Sequence, residues 1–320
     1  MLFYCNIVVE TMNPELYILG SSSATPTRER HPSAQLLKLE GEKILIDCGE
    51  GTQSQLLRFG LRHTGVNTIC ISHLHGDHYF GLIGLISTMS LMGRQQALNI
   101  IGPPALKQIL DLQISHGGMS LKFEILFHPT NPHRREFILK TPLFEISSFP
   151  LQHRIHCTGF LFTENKKEKH LNMDAITSHG VPVSAYKDIK AGQAFTAENG
   201  QLIANSLLTF EPQPPKTYAY CSDTIFDPGI VEHISGANLL YHEATYMKNL
   251  EERASMYYHS TAEQAAKIAG MAGVGQLLIG HFSSRYDHLK PLLDEARSVF
   301  PDTLLALEGE KFIVRAKATV

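Results

Sequence analysis

One short segment of the chain concentrates side chains that bind metal ions. Residues 72–78 read Ser-His-Leu-His-Gly-Asp-His, so three imidazoles and one carboxylate fall within six positions. Imidazole and carboxylate ligands without a paired cysteine motif suit a catalytic zinc better than a closed structural one. In an extended segment His73 and His75 point the same way, and the glycine after them lets the chain fold back to bring Asp77 and His78 into the same space. The segment therefore predicts a site for two adjacent metal ions, with a metal-free histidine-rich loop as the alternative.

The neighbouring residues predict the elements that position this segment. The apolar run Ile69-Cys70-Ile71 leads into it as a strand. A helix is predicted after it by the apolar spacing of Leu82, Ile83, Ile86, Met89 and Met92. Similar strand-like runs lead to other residues with metal-binding or acid–base side chains, namely Asp47, His153, Asp223, His242, Glu243 and His281. Because α/β sheets place their sites at the carboxyl ends of the strands, we expect these residues to meet at one rim.

Length and composition limit the possible classes of protein. With 320 residues, 43% of them hydrophobic, the chain is long enough for one large α/β domain or for two. Its formal net charge of −3 provides no global basic surface, so any contact with nucleic acid must come from a local patch. Two halves that mix strands with helices are predicted at roughly 16–150 and 216–316. In the second half, the sequence Ser260-Thr261-Ala262-Glu263 predicts a capping box that begins a helix.

Cysteine usage and hydropathy favour a cytoplasmic protein. The five cysteines are widely spaced and lie mostly in apolar, strand-like runs, which predicts reduced, buried thiols at Cys5, Cys48, Cys70, Cys157 and Cys221. No segment approaches the roughly 18 uninterrupted apolar residues of a membrane span. The first ten residues are apolar but lack a basic region, so they resemble a strand or extension more than a signal peptide. No membrane partner is expected.

Residues 163–212 interrupt the alternation of strands and helices. They begin with a polar charged run and carry five lysines, at Lys166, Lys167, Lys169, Lys187 and Lys190. A charged run of this kind is ordinarily a solvated surface loop. The functional alternative is a protruding arm whose lysines meet a phosphate backbone.

Several motifs together resemble those of a known family. His-x-His-x-Asp-His after a strand is the signature of the metallo-β-lactamase superfamily, whose fold is an αββα sandwich with a dinuclear metal site at its rim. The match is sharper to the ribonuclease Z family of tRNA 3′-processing endonucleases, and it covers nearly the whole chain. The motifs that carry it lie at 19–26, 47–53, 152–154, 222–224, 242–245, 259–261 and 280–286. His-Glu-Ala-Thr followed by His-Ser-Thr is much more specific than the first motif, which alone indicates only the superfamily.

The resemblance implies a role for each residue of the metal site. It implies two Zn²⁺ per subunit, one held by His73, His75 and His153, the other by Asp77, His78 and His281, with Asp223 bridging both. A metal pair about 3.5–4 Å apart can lower the pKa of bound water and clamp the oxygens of an in-line displacement. Asp77 is also implied to orient or deprotonate the nucleophile.

The leaving group of such a reaction needs a proton, because a ribose 3′-alkoxide leaves poorly. The resemblance places Glu243 and His259 beside the site, where the carboxylate would hold the imidazole positioned and protonated. These two residues are therefore the candidates for proton donation. The alternative is a satisfied buried pair that braces a strand against the helix starting at Ser260.

The implied substrate is precursor tRNA. Hydrolysis at its 3′ side would release the trailer and leave a 3′-hydroxyl on the tRNA. The family has an arm between the third and fourth ligand motifs, and this chain has its insertion in that place, between His153 and Asp223. The five lysines are therefore expected to contact tRNA phosphates, independently of sequence and with a strong dependence on salt. A homodimer is implied by the same resemblance.

Two other functions fit part of this pattern. Another hydrolase of the metallo-β-lactamase fold, such as a general phosphodiesterase, arylsulfatase or lactonase, would use the same site on a small ester. A tRNA-binding protein that has lost catalysis would keep the insertion without needing the metal ligands. The basic insertion and the motifs of Glu243 and His259 argue against the first alternative, and the complete ligand set argues against the second.

Overall fold

A computed structural model describes residues 13–316 of the chain. The described residues divide into two compact units: a larger one, made of residues 13–163 and 216–316, and a smaller one, made of residues 164–215. No helix among the described residues is long and apolar enough to cross a bilayer. The strand or extension expected for the first ten residues lies outside the described part of the chain.

The larger unit begins with alternating strands and helices. In chain order these are β1 (Glu15–Gly20), β2 (Ala34–Leu39), β3 (Glu42–Cys48), α1 (Thr52–Arg58), β4 (Val66–Cys70), α2 (Gly76–Tyr79), α3 (Leu82–Leu91), β5 (Leu98–Gly102), α4 (Pro104–His116) and β6 (Ile125–Pro129). The side chains from Ile44 to Cys48 in β3 are all buried. Continuous burial of this kind is expected for a strand that is covered on both faces.

Three further strands lead to the smaller unit, after which the larger unit resumes. The strands are β7 (Glu136–Lys140), β8 (Phe144–Leu151) and β9 (Cys157–Glu164). The smaller unit contains β10 (His170–Leu171), α5 (Met173–Ser178), α6 (Tyr186–Lys190), β11 (Phe195–Thr196), β12 (Leu202–Ile203), α7 (Asn205–Leu208) and β13 (Thr209–Phe210). The remaining elements are β14 (Thr217–Cys221), α8 (Val231–Ile234), β15 (Leu239–Glu243), α9 (Glu251–Met256), α10 (Ala262–Ala272), β16 (Gln276–Gly280), α11 (Lys290–Arg297), β17 (Thr303–Leu305) and β18 (Lys311–Ile313).

The strands of the larger unit form two seven-stranded sheets, ordered β18-β1-β2-β3-β4-β5-β6 and β17-β16-β15-β14-β9-β8-β7. Side chains from both sheets, such as Ile44 and Tyr218, share one buried apolar core. The outer face of the first sheet packs against residues of α1, α3 and α4. That of the second sheet packs against α8, α10 and α11. These four layers confirm the predicted αββα sandwich.

The two sheets do not coincide with the two halves that were predicted at 16–150 and 216–316. Strands β7 and β8 belong to the second sheet although they precede residue 152, and β18 completes the first sheet although it ends the chain. Strand β18 pairs antiparallel with β1, and β9 pairs antiparallel with β14. Neither pairing joins neighbours in sequence, so local apolar patterns could not have indicated it.

Two predicted helix boundaries also differ from the structure. The capping box lies one residue later than expected, because Thr261 is the N-cap of α10 and Gln264 completes the box. Ser260 instead donates its hydroxyl hydrogen to the Thr224 carbonyl at 2.8 Å. Met92 is not on the buried face of α3 but follows the end of this helix with 73% of its surface exposed.

The described cysteines agree with the prediction of buried thiols. Cys48, Cys70, Cys157 and Cys221 are free and buried, and Cys5 lies outside the described residues. Burial raises the pKa of Cys48 to about 12. These thiols are therefore protonated, apolar packing groups near neutral pH.

The smaller unit has its own apolar core, which includes Ile176, Ile189, Ile203 and Leu208. Strands β10 and β13 pair antiparallel, and so do β11 and β12. The insertion is therefore a folded unit rather than an irregular loop.

Candidate metal centre and active site

The ligand-type residues predicted at strand ends gather at one edge of the sheets. Neighbouring strands β3 and β4 run parallel, as do β14, β15 and β16, so their carboxyl ends lie together. Asp47 lies one residue before the end of β3, residues 73–78 follow β4, His153 follows β8, Asp223 follows β14, Glu243 ends β15 and His281 follows β16.

A first group of ligand atoms comes from His73, His75, His153 and Asp223. Nδ1 of His75 lies 3.0 Å from Nε2 of His73 and 3.1 Å from Nε2 of His153. Oδ2 of Asp223 lies 3.6 Å from Nε2 of His73 and 3.9 Å from Nε2 of His153. All four atoms lie within 4.8 Å of one another, so one ion could contact all of them at ordinary zinc–ligand distances.

A second group comes from Asp77, His78 and His281. The Nε2 atoms of His78 and His281 are 3.3 Å apart. Oδ2 of Asp77 lies 3.5 Å from the first of these atoms and 3.4 Å from the second. Oδ1 of Asp223 approaches the same two nitrogens, at 3.5 and 3.3 Å. Asp223 therefore presents one carboxylate oxygen to each group.

Hydrogen bonds from the ring nitrogens that face away from the cluster orient His73 and His78. His78 donates from Nδ1 to Oδ2 of Asp47 at 2.7 Å. The Ser72 hydroxyl donates to the same carboxylate oxygen at 2.9 Å, so it accepts from Nδ1 of His73, 3.0 Å away. Each ring thus turns Nε2 toward the cluster, as in metal sites where outer hydrogen bonds set the tautomer.

The rings of His153 and His281 are held in the same way. His153 donates from Nδ1 to the carbonyl of Tyr258 at 2.9 Å. The Thr245 hydroxyl donates to Oε2 of Glu243 at 2.7 Å and therefore accepts from Nδ1 of His281, 2.9 Å away. Glu243 consequently orients a residue of the second ligand group as well as contacting His259.

The side chain of Asp47 is buried behind both ligand groups. Its carboxylate accepts hydrogen bonds from the Ser72 backbone and hydroxyl, from His78 and from the Tyr220 hydroxyl, the last at 2.6 Å. Its backbone has φ 54°, a left-handed conformation that costs a non-glycine residue about 1–3 kcal/mol. This strain is tolerated where the surrounding contacts fix the residue, and here they make Asp47 a positioning residue for His73 and His78.

Replacement of Asp47 by Ala should weaken zinc binding by about 10- to 100-fold, because loss of an outer partner disorients the ligands that it holds. Zinc dissociation constants, measured by competition with a chelator, test this expectation. Asp302→Ala is the control, since Asp302 contacts Gln276 at the opposite end of β16. Equal zinc affinity in the Asp47 variant and the unmodified protein would contradict the positioning role.

The protonation of the histidines suits metal binding in the first group. Burial, and then the charge on His78, lowers the pKa of His73 well below its ordinary value. Burial also lowers the pKa of His75 and of His153. Neutral imidazoles are the form that binds zinc, so these three rings need no deprotonation before an ion enters.

The second group is rich in carboxylates, which favour a positive charge at this place. Burial alone would lower the pKa of His78, but Asp223, Asp77 and Asp47 outweigh it and raise the pKa well above the ordinary value. Among the described residues, Oδ1 of Asp223 has no hydrogen-bond partner although it is buried. A metal ion would supply both the charge and the missing partner. The donor set therefore fits two ions that share Asp223.

Glu243 and His259 form a close pair beside these groups. Oε1 of Glu243 accepts from Nδ1 of His259 at 2.9 Å and from the Thr224 backbone at 3.1 Å. Burial would lower the pKa of His259, but the Glu243 carboxylate outweighs it and raises the pKa to about 9. His259 is thus charged at neutral pH and has a proton to give. The brace expected as the alternative is also present, since Ser260 bonds to Thr224.

A cavity of about 440 Å³ opens over the ligand groups. Its lining includes Asp77, Asp223, His259 and His281, with Phe80 and Arg154 among the other lining residues. The backbone N–H of Ala24 donates to Oδ2 of Asp77 at 2.7 Å, so the loop after β1 helps to orient this carboxylate. Glu243 is fully buried and acts through His259 and Thr245 rather than on a bound molecule.

The structure brings together the seven residues predicted to bind metal and the two predicted to transfer a proton. The predicted lysines lie instead in the smaller unit, with Lys187 and Lys190 in α6 and Lys166, Lys167 and Lys169 before β10. The sequence analysis predicted that Asp47 lies at the rim but gave it no role, and it did not identify Thr245 or Phe80 as residues of the site. Asp47 and Thr245 lie within the family motifs at 47–53 and 242–245, which is the signal that could have identified them.

Comparison with known proteins shows which families this chain resembles. A family model described as anti-Pycsar protein Apyc1 matches residues 14–181. A ribonuclease Z of Bacteroides fragilis (strain YCH46) is 45% identical over 295 residues, covering 92% of this chain and 97% of the relative. The crystal structure of human tRNase Z, short form, matches with a TM-score of 0.69 and 25% identity, covering 94% of this chain and all of that one.

The metallo-β-lactamase fold protein YhfI from Bacillus subtilis shows the fold alone, with a TM-score of 0.65 and 18% identity over 94% of this chain and 99% of that one. These similarities confirm the predicted fold class. The ribonuclease Z relative is aligned over nearly the whole chain, and the Apyc1 model spans slightly more than half of it. The chain therefore belongs to the ribonuclease Z family and, through residues 14–181, to the family that the Apyc1 model describes.

Proposed function

We propose that this protein is a zinc-dependent endoribonuclease that removes the 3′ trailer from precursor tRNA. The observation that carries the proposal is the pair of ligand groups joined by Asp223, found in a chain of the ribonuclease Z family. Hydrolysis adds a water oxygen to the phosphorus and breaks its bond to the ribose 3′ oxygen. The tRNA keeps a 3′-hydroxyl and the trailer carries the phosphate.

The proposed division of the ligands between two ions is supported by two of the groups of neighbouring ligand-type atoms. His73, His75 and His153 would hold one Zn²⁺ and Asp77, His78 and His281 a second, and Asp223 could serve both because its second oxygen approaches His78 and His281. Two bound zinc ions would supply Lewis acidity for the attacking water and for the phosphate oxygens.

The residues of the chain would move two protons. Asp77 faces the cavity with its carboxylate held by the Ala24 N–H, and there it orients the attacking water and accepts its proton. His259 faces the same cavity and donates a proton to the departing 3′ oxygen, while Glu243 keeps this imidazole charged and in place. Acid and base thus occupy different positions in one cavity.

Incubation with precursor tRNA tests the reaction directly. The zinc-loaded protein should release one discrete trailer, the chelated protein should not, and added zinc should restore the cut. End analysis should find a 3′-hydroxyl on the tRNA. The competing proposal is a phosphodiesterase or other small-ester hydrolase with the same centre, and hydrolysis of small esters without any cut in precursor tRNA would favour it.

The smaller unit is proposed to be the tRNA-binding arm, contacting phosphates through Lys166, Lys167, Lys169, Lys187 and Lys190. In support, two of these lysines are on one short helix, α6. Lys169 is also paired with Glu211, so its charge is partly neutralised until a phosphate competes for it.

Replacement of the five lysines by Gln should weaken tRNA binding and flatten its dependence on salt. Each phosphate that is no longer neutralised by a lysine should reduce the slope of log K against log [salt] by about 0.7–0.9. Binding titrations at several salt concentrations measure this slope. Replacement of Lys107 and Lys290, exposed lysines of α4 and α11, is the matched control. An unchanged slope in the five-lysine variant would show that these lysines do not contact tRNA phosphates.

We also propose that the enzyme acts in the cytoplasm as a homodimer. The dimer is supported by the family resemblance, and the compartment by the free, buried cysteines and by the proposed substrate. Light scattering of the purified chain measures its mass in solution, and a monomer at working concentrations would contradict the dimer.

A further inference from the structure

Phe80 leaves a large aromatic surface in water at the mouth of the candidate active site. It follows α2 directly, 61% of its surface is exposed, and it lines the same cavity as Asp77, His259 and His281. Apart from Ala24, Pro26, Pro32 and Gly76, the other residues that line this cavity are charged or polar. An exposed ring therefore contributes nothing to the polar cluster, and burial of the ring by a ligand would be favourable.

The metal-binding loop is shaped to carry this ring. A Cβ atom at Gly76 would lie 2.3 Å from Cε2 of Phe80, so only glycine lets the ring lie so close to the loop backbone. The ring also meets that of Tyr79 edge to face, with centroids 5.0 Å apart. One side of Phe80 is thus supported by the loop that holds Asp77 and His78, while the remaining surface faces solvent and the cavity.

A ring fixed in this way suits an unpaired nucleotide base. Every base has a flat π-face, and stacking of a base on a protein aromatic contributes about 1–3 kcal/mol with little sequence preference. Arg154 is an exposed, charged residue lining the same cavity, where its guanidinium would meet the phosphates that join such bases. A single-stranded segment could therefore place a base on Phe80 while its phosphodiester reaches the ligand groups.

We propose that Phe80 is a stacking platform for the base of a nucleotide that adjoins the scissile phosphodiester. This inference rests on the proposed function, because it requires an RNA strand in the cavity. The platform selects unstacked, single-stranded RNA rather than a particular base. It positions the substrate, and Asp77 and His259 perform the chemistry.

The test compares Phe80→Leu with Phe80→Tyr, since leucine keeps the bulk of an apolar side chain and tyrosine keeps the ring. The ratio kcat/KM on precursor tRNA should fall by about 5- to 100-fold in the leucine variant and stay within about twofold in the tyrosine variant. Phe137→Leu is the matched control, because Phe137 is 58% exposed and lies in β7, outside the lining of this cavity. Zinc content and the thermal midpoint should match those of the unmodified protein in all three variants.

Precursors with an abasic site on either side of the cut identify the stacked base. In the unmodified protein one abasic position should reduce binding and kcat/KM by a factor similar to that of Phe80→Leu. In the leucine variant the same abasic substitution should have little further effect, because the stacking partner is already gone. Independent, multiplicative losses at both positions, or full activity of Phe80→Leu with normal zinc content, would overturn the platform. Failure of the unmodified protein to cut any precursor would instead overturn the proposed function.

Discussion

Asp77→Ala should reduce trailer release from precursor tRNA by at least about 10³-fold, because one substitution removes a metal ligand and the proposed base. The carboxylate lies 3.4–3.5 Å from the Nε2 atoms of His78 and His281. Burial would raise the pKa of Asp77, but the charge on His78, followed by the polar contact with His281, outweighs it and holds the pKa well below its ordinary value. The carboxylate is therefore ionised, which is the form that binds a metal ion.

Single-turnover cleavage and zinc stoichiometry together test the two roles of Asp77. We expect fewer bound zinc ions per chain as well as loss of the cut, on precursor tRNA and on an activated aryl phosphodiester alike. Asp111→Ala is the matched control, because Asp111 is an exposed residue of α4 paired with Lys107, and it should keep full activity. Trailer release at an undiminished rate by Asp77→Ala would exclude the proposed centre.

The substitution His259→Ala should instead lower the cleavage rate of only one of the two substrates. Cleavage of precursor tRNA should fall by about 10²–10⁴-fold, the usual contribution of a positioned proton donor. Hydrolysis of an aryl phosphodiester with an activated leaving group should change little, because that group departs as a stable anion. Rates measured on both substrates with one enzyme preparation test the split. If both substrates lose activity equally, His259 is not the proton donor.

The proton-donor role also predicts a pH dependence. His259 can donate only while it is protonated, and Glu243 raises its pKa to about 9. The rate on precursor tRNA should therefore decline as the pH rises through about 9, and this decline should be absent from the residual activity of His259→Ala. The activated diester should show no such decline in the unmodified protein.

The gathering of the proposed metal ligands at one rim could be predicted from the sequence because their signal is local. Four of them occupy residues 73–78, and the others follow strands β8, β14 and β16, each of which contains an apolar run visible in the sequence. Parallel strands bring such positions together whatever the order of the strands in the sheet. The division of the residues between two ions was different, since it came from family resemblance and not from spacing.

The partners that hold these ligands could not be predicted by the same reasoning. Asp47 contacts Ser72 and His78 across adjacent strands, and Tyr220 reaches Asp47 from the opposite sheet. Contacts of this kind depend on the packing of one sheet on the other. The exposure of Phe80 could not be predicted either, because an aromatic residue beside an apolar helical pattern is ordinarily expected to be buried.

The pairing of β9 with β14 has a consequence for how the chain folds. Thr163 and Thr217 are direct partners in this antiparallel pair, so the whole smaller unit is the loop that closes between them. Closing a long flexible loop costs entropy that grows with the logarithm of its length, and contacts that are distant in sequence slow folding. If the smaller unit forms its own apolar core first, it shortens the flexible loop, and the central pair of the second sheet can form sooner. Mutations that unfold the smaller unit, such as Ile189→Asp, would then slow refolding of the larger unit although no residue of its sheets had changed.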